Sequence, residues 1–215
     1  MNYKAVFFDL DETLYPMGNE SIKVITDRMN EYIRRSLAIP DSEVKNFRED
    51  LYKTYGTTAK GLVKNYEVDL YDFMHYVHNV DISPYIQPAP EVRALIEKIQ
   101  IPKFIFTNSD RFHAIRVLKL LDNYQCFDGI IDFLDVYPYC KPEQEAFEKA
   151  LAMTGIDSGR GCIFLDDNPT NISTAHQLGF YTIQVGSRAR SEEADAFLSR
   201  IEDLPQLEIY SEIIT

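Results

Sequence analysis

The chain has 215 residues, 45% of them hydrophobic, which is enough for one α/β core with a smaller inserted unit. A formal net charge of −12 leaves no basic surface for a nucleic-acid polymer or an anionic membrane, though a local pocket can still take a small phosphorylated metabolite. No apolar run approaches the roughly 20 residues that span a bilayer. The N-terminus shows no signal-peptide pattern, and Cys126, Cys140 and Cys162 lie far apart without metal-ligand spacing. Reduced thiols in a cytoplasmic protein are the expectation, and no pattern in the sequence sets an oligomeric state.

In chain order, the apolar run Val6-Phe7-Phe8 predicts a strand that closes on Asp9-Leu10-Asp11-Glu12-Thr13. Residues i and i+2 of a strand share a face, so both carboxylates meet at one place. Two such charges held close need a cation between them or a proton on one of them. From Pro16 to Pro88 no comparable strand run occurs. Ile22, Ile25, Met29, Tyr32 and Ile33 recur at helical spacing, as do Val44, Phe47, Leu51 and Tyr55, and then Phe73, Tyr76 and Val77. Residues 16–88 therefore read as a helical subdomain inserted after the first strand, with prolines at its borders. Within it Gly56-Thr57-Thr58 has two readings, a helix end followed by a new N-cap or a substrate-selecting segment. His75 and His78 share a helical face but have no acid or cysteine partner, and read as ordinary subdomain residues.

Residues 1–15 and 89–215 read as an α/β core. Lys103 to Thr107, Gly129 to Phe133, Cys162 to Asp166 and Tyr181 to Val185 are predicted strands. Glu91 to Ile99, Phe112 to Leu121, Glu143 to Met153 and Asn171 to Leu178 are predicted helices between them. Such alternation implies right-handed crossovers and a parallel sheet covered on both faces.

Ligands of open parallel sheets sit beyond the carboxyl ends of the strands, and chemistry-bearing residues cluster there. Asp9 is a competent nucleophile towards phosphorus, and Asp11 is placed for proton transfer to the leaving group and from water. Thr107 and Asn108 follow the second strand, where a hydroxyl and helix-start N–H groups can cradle phosphate oxygens, although Ser109 or Asp110 also reads as a plain N-cap. Lys141 can neutralise phosphoryl oxygens as a point charge, with Pro142 suited to the first turn of the next helix. Asp166 and Asp167 offer the hard oxygen ligands that Mg²⁺ demands. Asn171 serves either as the next helix cap or as support through a metal-bound water.

These motifs, in this order, resemble those of the haloacid dehalogenase superfamily of phosphatases over nearly the whole chain. The resemblance implies a Rossmann-like parallel sheet of order 5-4-1-2-3 with a helical type 1 cap. It also implies Asp9 as nucleophile, Asp11 as acid/base, and Thr107, Asn108 and Lys141 as phosphate contacts. Mg²⁺ would be held by Asp9, the Asp11 carbonyl and the pair Asp166 and Asp167, chiefly the latter. Dehalogenases lack the second acid, so Asp11 implies phosphate ester hydrolysis. Asp11 to Tyr15, the segment Tyr55 to Leu62 and the run Phe106 to Arg111 are similar to the pyrimidine 5′-nucleotidase-type branch, with Glu12 where glycine is commoner.

The expectation is a Mg²⁺-dependent phosphomonoester hydrolase acting on nucleoside 5′-monophosphates. The alternatives are another small ester, such as a sugar phosphate or phosphoglycolate, and a sugar phosphomutase of the same fold. A receiver-type signalling module shares the residue types, but its acceptor lies mid-chain, whereas Asp9 comes first.

Overall fold

Ala5–Phe8 (β1) is an unbroken apolar run whose four residues are all buried, as a strand covered on both faces must be. In the computed structural model, which describes residues 3–186 and 189–214, helices Glu20–Leu37 (α1), Asp41–Tyr55 (α2), Thr58–Asn65 (α3), Leu70–His78 (α4) and Pro90–Lys98 (α5) follow. Then come Lys103–Phe106 (β2), Arg111–Leu120 (α6), Gly129–Ile131 (β3), Phe133–Val136 (α7), Gln144–Met153 (α8), Cys162–Asp166 (β4) and Pro169–Gln177 (α9). Tyr181–Val185 (β5), Ala196–Leu198 (β6) and Glu208–Ile213 (α10) complete the order. The chain divides into two compact units, Met1–Met17 with Ile86–Thr215, and Gly18–Tyr85. Among the described residues no helix is long and apolar enough to cross a membrane.

The first unit holds one sheet in the order β3-β2-β1-β4-β5-β6, with every neighbouring pair parallel. This is the expected order 5-4-1-2-3 read from its other edge, with one strand added. The extra strand, β6, is too short to announce itself by pattern. It is held by its pairing to β5 and by Asp195, whose carboxylate accepts from Thr182 N at 2.8 Å and Thr182 Oγ1 at 2.9 Å.

Under one face lies a cluster of rings. Phe147 meets Phe106 and Phe164 edge-on, each at 5.3 Å between centroids, and Phe180 meets Phe7 in the same way at 5.8 Å. Side chains of this size carry about 1.5–3 kcal/mol each on burial, so the cluster fixes how α8 and α9 lie on the sheet.

Several boundaries shift by a residue or two from the sequence expectation, and two bear on the site's surroundings. The third strand stops at Ile131, not Phe133, because Asp132 takes the Asp135 N–H and Asp135 returns a bond to the Asp132 N–H. That capping box starts a short helix where the apolar pattern alone continues the strand. Pro142 lies outside α8, which begins at Gln144 with Glu143 at its N-cap.

The second unit consists of α1 to α4, packed on their apolar stripes. Ile25, Ile33, Leu51, Leu62, Phe73 and Val77 are buried, and Tyr32 meets Phe73 edge-on at 5.1 Å. Its helices start where side chains satisfy the first N–H groups: Asn19 caps α1, Thr57 caps α3 and Asp69 caps α4. Gly56, at φ 83, ends α2 in a conformation that costs other residues energy.

Candidate active site

The sheet order reverses direction at β1 and β4, since β2 and β3 lie on one side and β5 and β6 on the other. A crevice at such a point collects whatever the neighbouring strand ends carry. Asp9 follows β1, Thr107 follows β2, and Asp166 ends β4 with Asp167 next. Carboxylate oxygens of Asp9, Asp166 and Asp167 lie within 4.8 Å of one another, and all three residues are buried.

Lys141, 1% exposed, enters this cluster. Its Nζ lies 2.7 Å from each of Asp9 Oδ1, Asp166 Oδ2 and the Phe106 carbonyl oxygen, so all three ammonium protons are engaged. Phe106 and Phe164 present their rings to the ammonium at 5.1 and 5.4 Å. Desolvating such a charge costs several kcal/mol unless it is paired. Burial pushes the Lys141 pKa down, but the charges of Asp166 and Asp9 outweigh it and hold the ammonium protonated. Asp9 shares that single cation with Asp166. Burial therefore wins over Lys141 and, with Asp166 pushing the same way, raises Asp9 to about 7.

Asp166 is fully occupied by protein donors. Its Oδ1 accepts from Asn168 N at 2.8 Å and Asn171 Nδ2 at 3.0 Å, and its Oδ2 accepts from Lys141 and from Asn171 Nδ2 at 2.9 Å. Asn168, not Asn171, caps α9, and Asn171 donates to Asp166 directly. The Asn171 Oδ1 is buried and has no hydrogen-bond partner among the described residues. Three carboxylates against one ammonium leave two negative charges when all ionise, and a divalent cation balances that set. Hard oxygens and an acceptor suited to a cation's water shell fit Mg²⁺.

Asp11 stands apart from that trio. Its Oδ1 accepts from Tyr15 Oη at 2.7 Å and from His113 Nε2 at 2.8 Å, and its Oδ2 accepts from Ser109 Oγ at 2.8 Å. Burial pushes the Asp11 carboxyl up, but the pull of His113 and the bonds from His113, Tyr15 and Ser109 outweigh it. The group is held well below the usual carboxylate range. Next to it, Glu12 has φ 63, a conformation that costs a non-glycine residue about 1–2 kcal/mol. A glycine here would avoid that strain.

Asn108 pairs with the Lys141 backbone at both ends of its amide: Nδ2 donates to the Lys141 carbonyl and Oδ1 accepts from Lys141 N, each at 2.9 Å. Its side chain therefore orients the lysine segment. Thr107, 1% exposed, accepts from Ser109 N at 3.0 Å. Asp110 caps α6, which frees Ser109 to reach Asp11. In the helical unit the Thr57 hydroxyl oxygen accepts from Lys60 N at 3.1 Å, and Thr58 is buried. Tyr15, Ser109 and His113 were not expected around Asp11. Ser109 and His113 lie 98 and 102 residues from it, so no local spacing links them.

The family model of the haloacid dehalogenase-like hydrolases matches residues 3–179. The chain is 32% identical over 192 residues to Phosphate metabolism protein 8 of Saccharomyces cerevisiae; the match takes in 82% of this chain and 59% of the yeast protein's length. Among solved structures, the HAD-hydrolase YfnB of Bacillus subtilis bound to magnesium is 16% identical with a TM-score of 0.65, covering 96% of this chain and 98% of that one. L-2-haloacid dehalogenase of Xanthobacter autotrophicus is 16% identical with a TM-score of 0.61, covering 95% and 98%. Likenesses at that identity establish a shared fold and leave the chemistry to the residues of the site. With its parallel sheet, its buried acidic trio and a family match over most of its length, the chain belongs to the haloacid dehalogenase-like hydrolases.

Proposed function

We propose that the protein is a Mg²⁺-dependent phosphomonoester hydrolase working through an aspartyl-phosphate on Asp9. The observation that carries this reading is the buried trio of Asp9, Asp166 and Asp167 with Lys141 between two of its members. Asp9 attacks phosphorus, and the ester oxygen departs with a proton from Asp11. Asp11 is ionised at rest. A dianionic ester entering beside it adds like charge, which favours the protonated form needed for that step. Water then attacks the aspartyl-phosphate, giving its proton to Asp11 and freeing phosphate.

Asp9 and Asp167, together with the Asp11 carbonyl, would hold the cation directly, because the Asp166 oxygens already accept four protein bonds. A bound Mg²⁺ would offset the charge on the phosphate oxygens during the transfer. Lys141 serves the phosphate through its charge, since its three N–H bonds go to protein oxygens, and Thr107 lines the same strand end.

The substrate class that we favour is the nucleoside 5′-monophosphates, on the likeness of the Asp11 to Tyr15 and Tyr55 to Leu62 segments to pyrimidine 5′-nucleotidases. The name of the yeast relative, at 32% identity, agrees with a substrate that carries phosphate.

Phosphate release from UMP, CMP and a panel of sugar phosphates, with and without Mg²⁺, tests this reading. Mg²⁺-dependent release without a bisphosphate activator is expected, and Asp9→Asn should lower it at least about 10³-fold. Activity kept by Asp9→Asn would remove the nucleophile. Turnover of sugar phosphates with UMP and CMP untouched would remove the nucleotide assignment alone.

A further inference from the structure

Tyr15, Ser109 and His113 come from the loop after β1, the loop after β2 and the first turn of α6, yet all three end on one carboxylate. We infer that they form a positioning cradle for Asp11, with His113 as its anchor, setting the orientation from which Asp11 serves the leaving group. This inference rests on the phosphatase reading above; it gives Tyr15 and Ser109 a role that the motifs do not assign, and adds His113, which lies outside them.

A carboxylate at a strand end has two side-chain torsions, and a proton-transfer group must be held to within hydrogen-bond geometry to act. Tyr15 and His113 take one oxygen of Asp11, and Ser109 takes the other, which leaves no free rotation. His113 is 0% exposed, so its ring cannot swing away into solvent. Its backbone is fixed as well, because Asp110 caps α6 by accepting from His113 N at 2.7 Å. A carboxylate oxygen is an acceptor, so His113 Nε2 carries the hydrogen that points at Asp11. The Asp11 side chain is 20% exposed where that of His113 is not, as expected of a group that meets substrate from a fixed base.

An alkyl phosphate needs a proton on its departing oxygen, whereas p-nitrophenyl phosphate expels p-nitrophenolate, a stable anion. Loss of the cradle should therefore injure one ester more than the other. For His113→Ala with Mg²⁺, kcat on the alkyl ester is expected to fall on the order of 10²-fold. That fall should exceed the fall on the aryl ester by about tenfold or more, with KM for each ester held. His113→Gln, which places an N–H near the position of Nε2, should recover most of the difference. Tyr15→Phe and Ser109→Ala, milder changes that keep the fold if His113→Ala does not, should show the same asymmetry to a smaller degree. The thermal shift produced by Mg²⁺ should persist in all four variants.

Equal losses on both esters, or no loss, would overturn the cradle while leaving the phosphatase reading intact. A wild-type protein that hydrolyses neither ester would remove that reading and the cradle with it.

Discussion

Lys141 Nζ lies 2.7 Å from Asp9 Oδ1, although 132 residues separate them in the chain. The same ammonium bridges to Asp166 at 2.7 Å, so one buried cation holds the ends of β1 and β4 together from the β3–α8 connection. The bridge ties folding to chemistry, because the residues that would meet phosphate are also those whose charges must be balanced for the core to close.

Lys141→Met, which keeps the length of the side chain and removes the charge, should destabilise the protein by about 3–5 kcal/mol in the absence of divalent cation. It strands two buried carboxylates beside each other. Urea unfolding of both proteins in EDTA measures the difference, and a loss under about 1 kcal/mol would mean that the bridge is not dry in solution.

Asn108→Ala removes both amide bonds to the Lys141 backbone. The expected loss of stability is about 1–2 kcal/mol. With the lysine segment no longer held, kcat for phosphate release should fall about 10²-fold. Steady-state kinetics beside a thermal melt separates the two effects; full activity in a destabilised variant would refute the orienting role.

The Asp11 carboxyl is held below its ordinary range in the folded protein, where burial raises it but His113, Tyr15 and Ser109 lower it by more. In the unfolded chain it takes up a proton near the usual value of about 3.9. The unfolded state thus binds more protons on acidification, and the contribution of this group, present above that pH, is lost as pH falls through the folded value. Asp11→Asn should therefore make stability fall less steeply below about pH 4, as read by unfolding curves from pH 6 downwards. An acid limb as steep in the variant as in the wild type would contradict this.

Ala38 ends α1 at φ 53, a left-handed position in which glycine avoids the clash of a Cβ. Ala38→Gly should stabilise the protein by about 0.5–1 kcal/mol after the greater freedom of glycine in the unfolded chain is deducted. For a chain of this size that raises Tm by about 1–4 °C, which a calorimetric scan resolves. A lower Tm would show that α1 ends differently in solution.

Much of the fold was legible in the linear pattern. Val6-Phe7-Phe8 and Cys162 to Asp166 are continuous apolar runs because a central parallel strand is buried on both faces, and such runs stand out from their surroundings. The helical stretch between Pro16 and Pro88 showed its 3.6-residue period for the corresponding reason, one face buried and one wet. The acids at strand ends could be named because a parallel sheet brings all its carboxyl ends to one rim. Where local side-chain bonding competes with the pattern, legibility failed, as at Asp132, whose capping box ended a strand two residues early.

The amino-acid order by itself determined the main strands and helices and the acidic strand ends, which depend on residues within a few positions of one another, and the strand–helix alternation from which a parallel sheet follows. Only the tertiary structure decided that Asn108 holds the Lys141 backbone, that Lys141 spends its three protons on Asp9, Asp166 and Phe106, and that Tyr15, Ser109 and His113 surround Asp11. Apart from Tyr15, those partners lie far away in the chain, and a hydrogen bond depends on distance in space, which no local periodicity encodes.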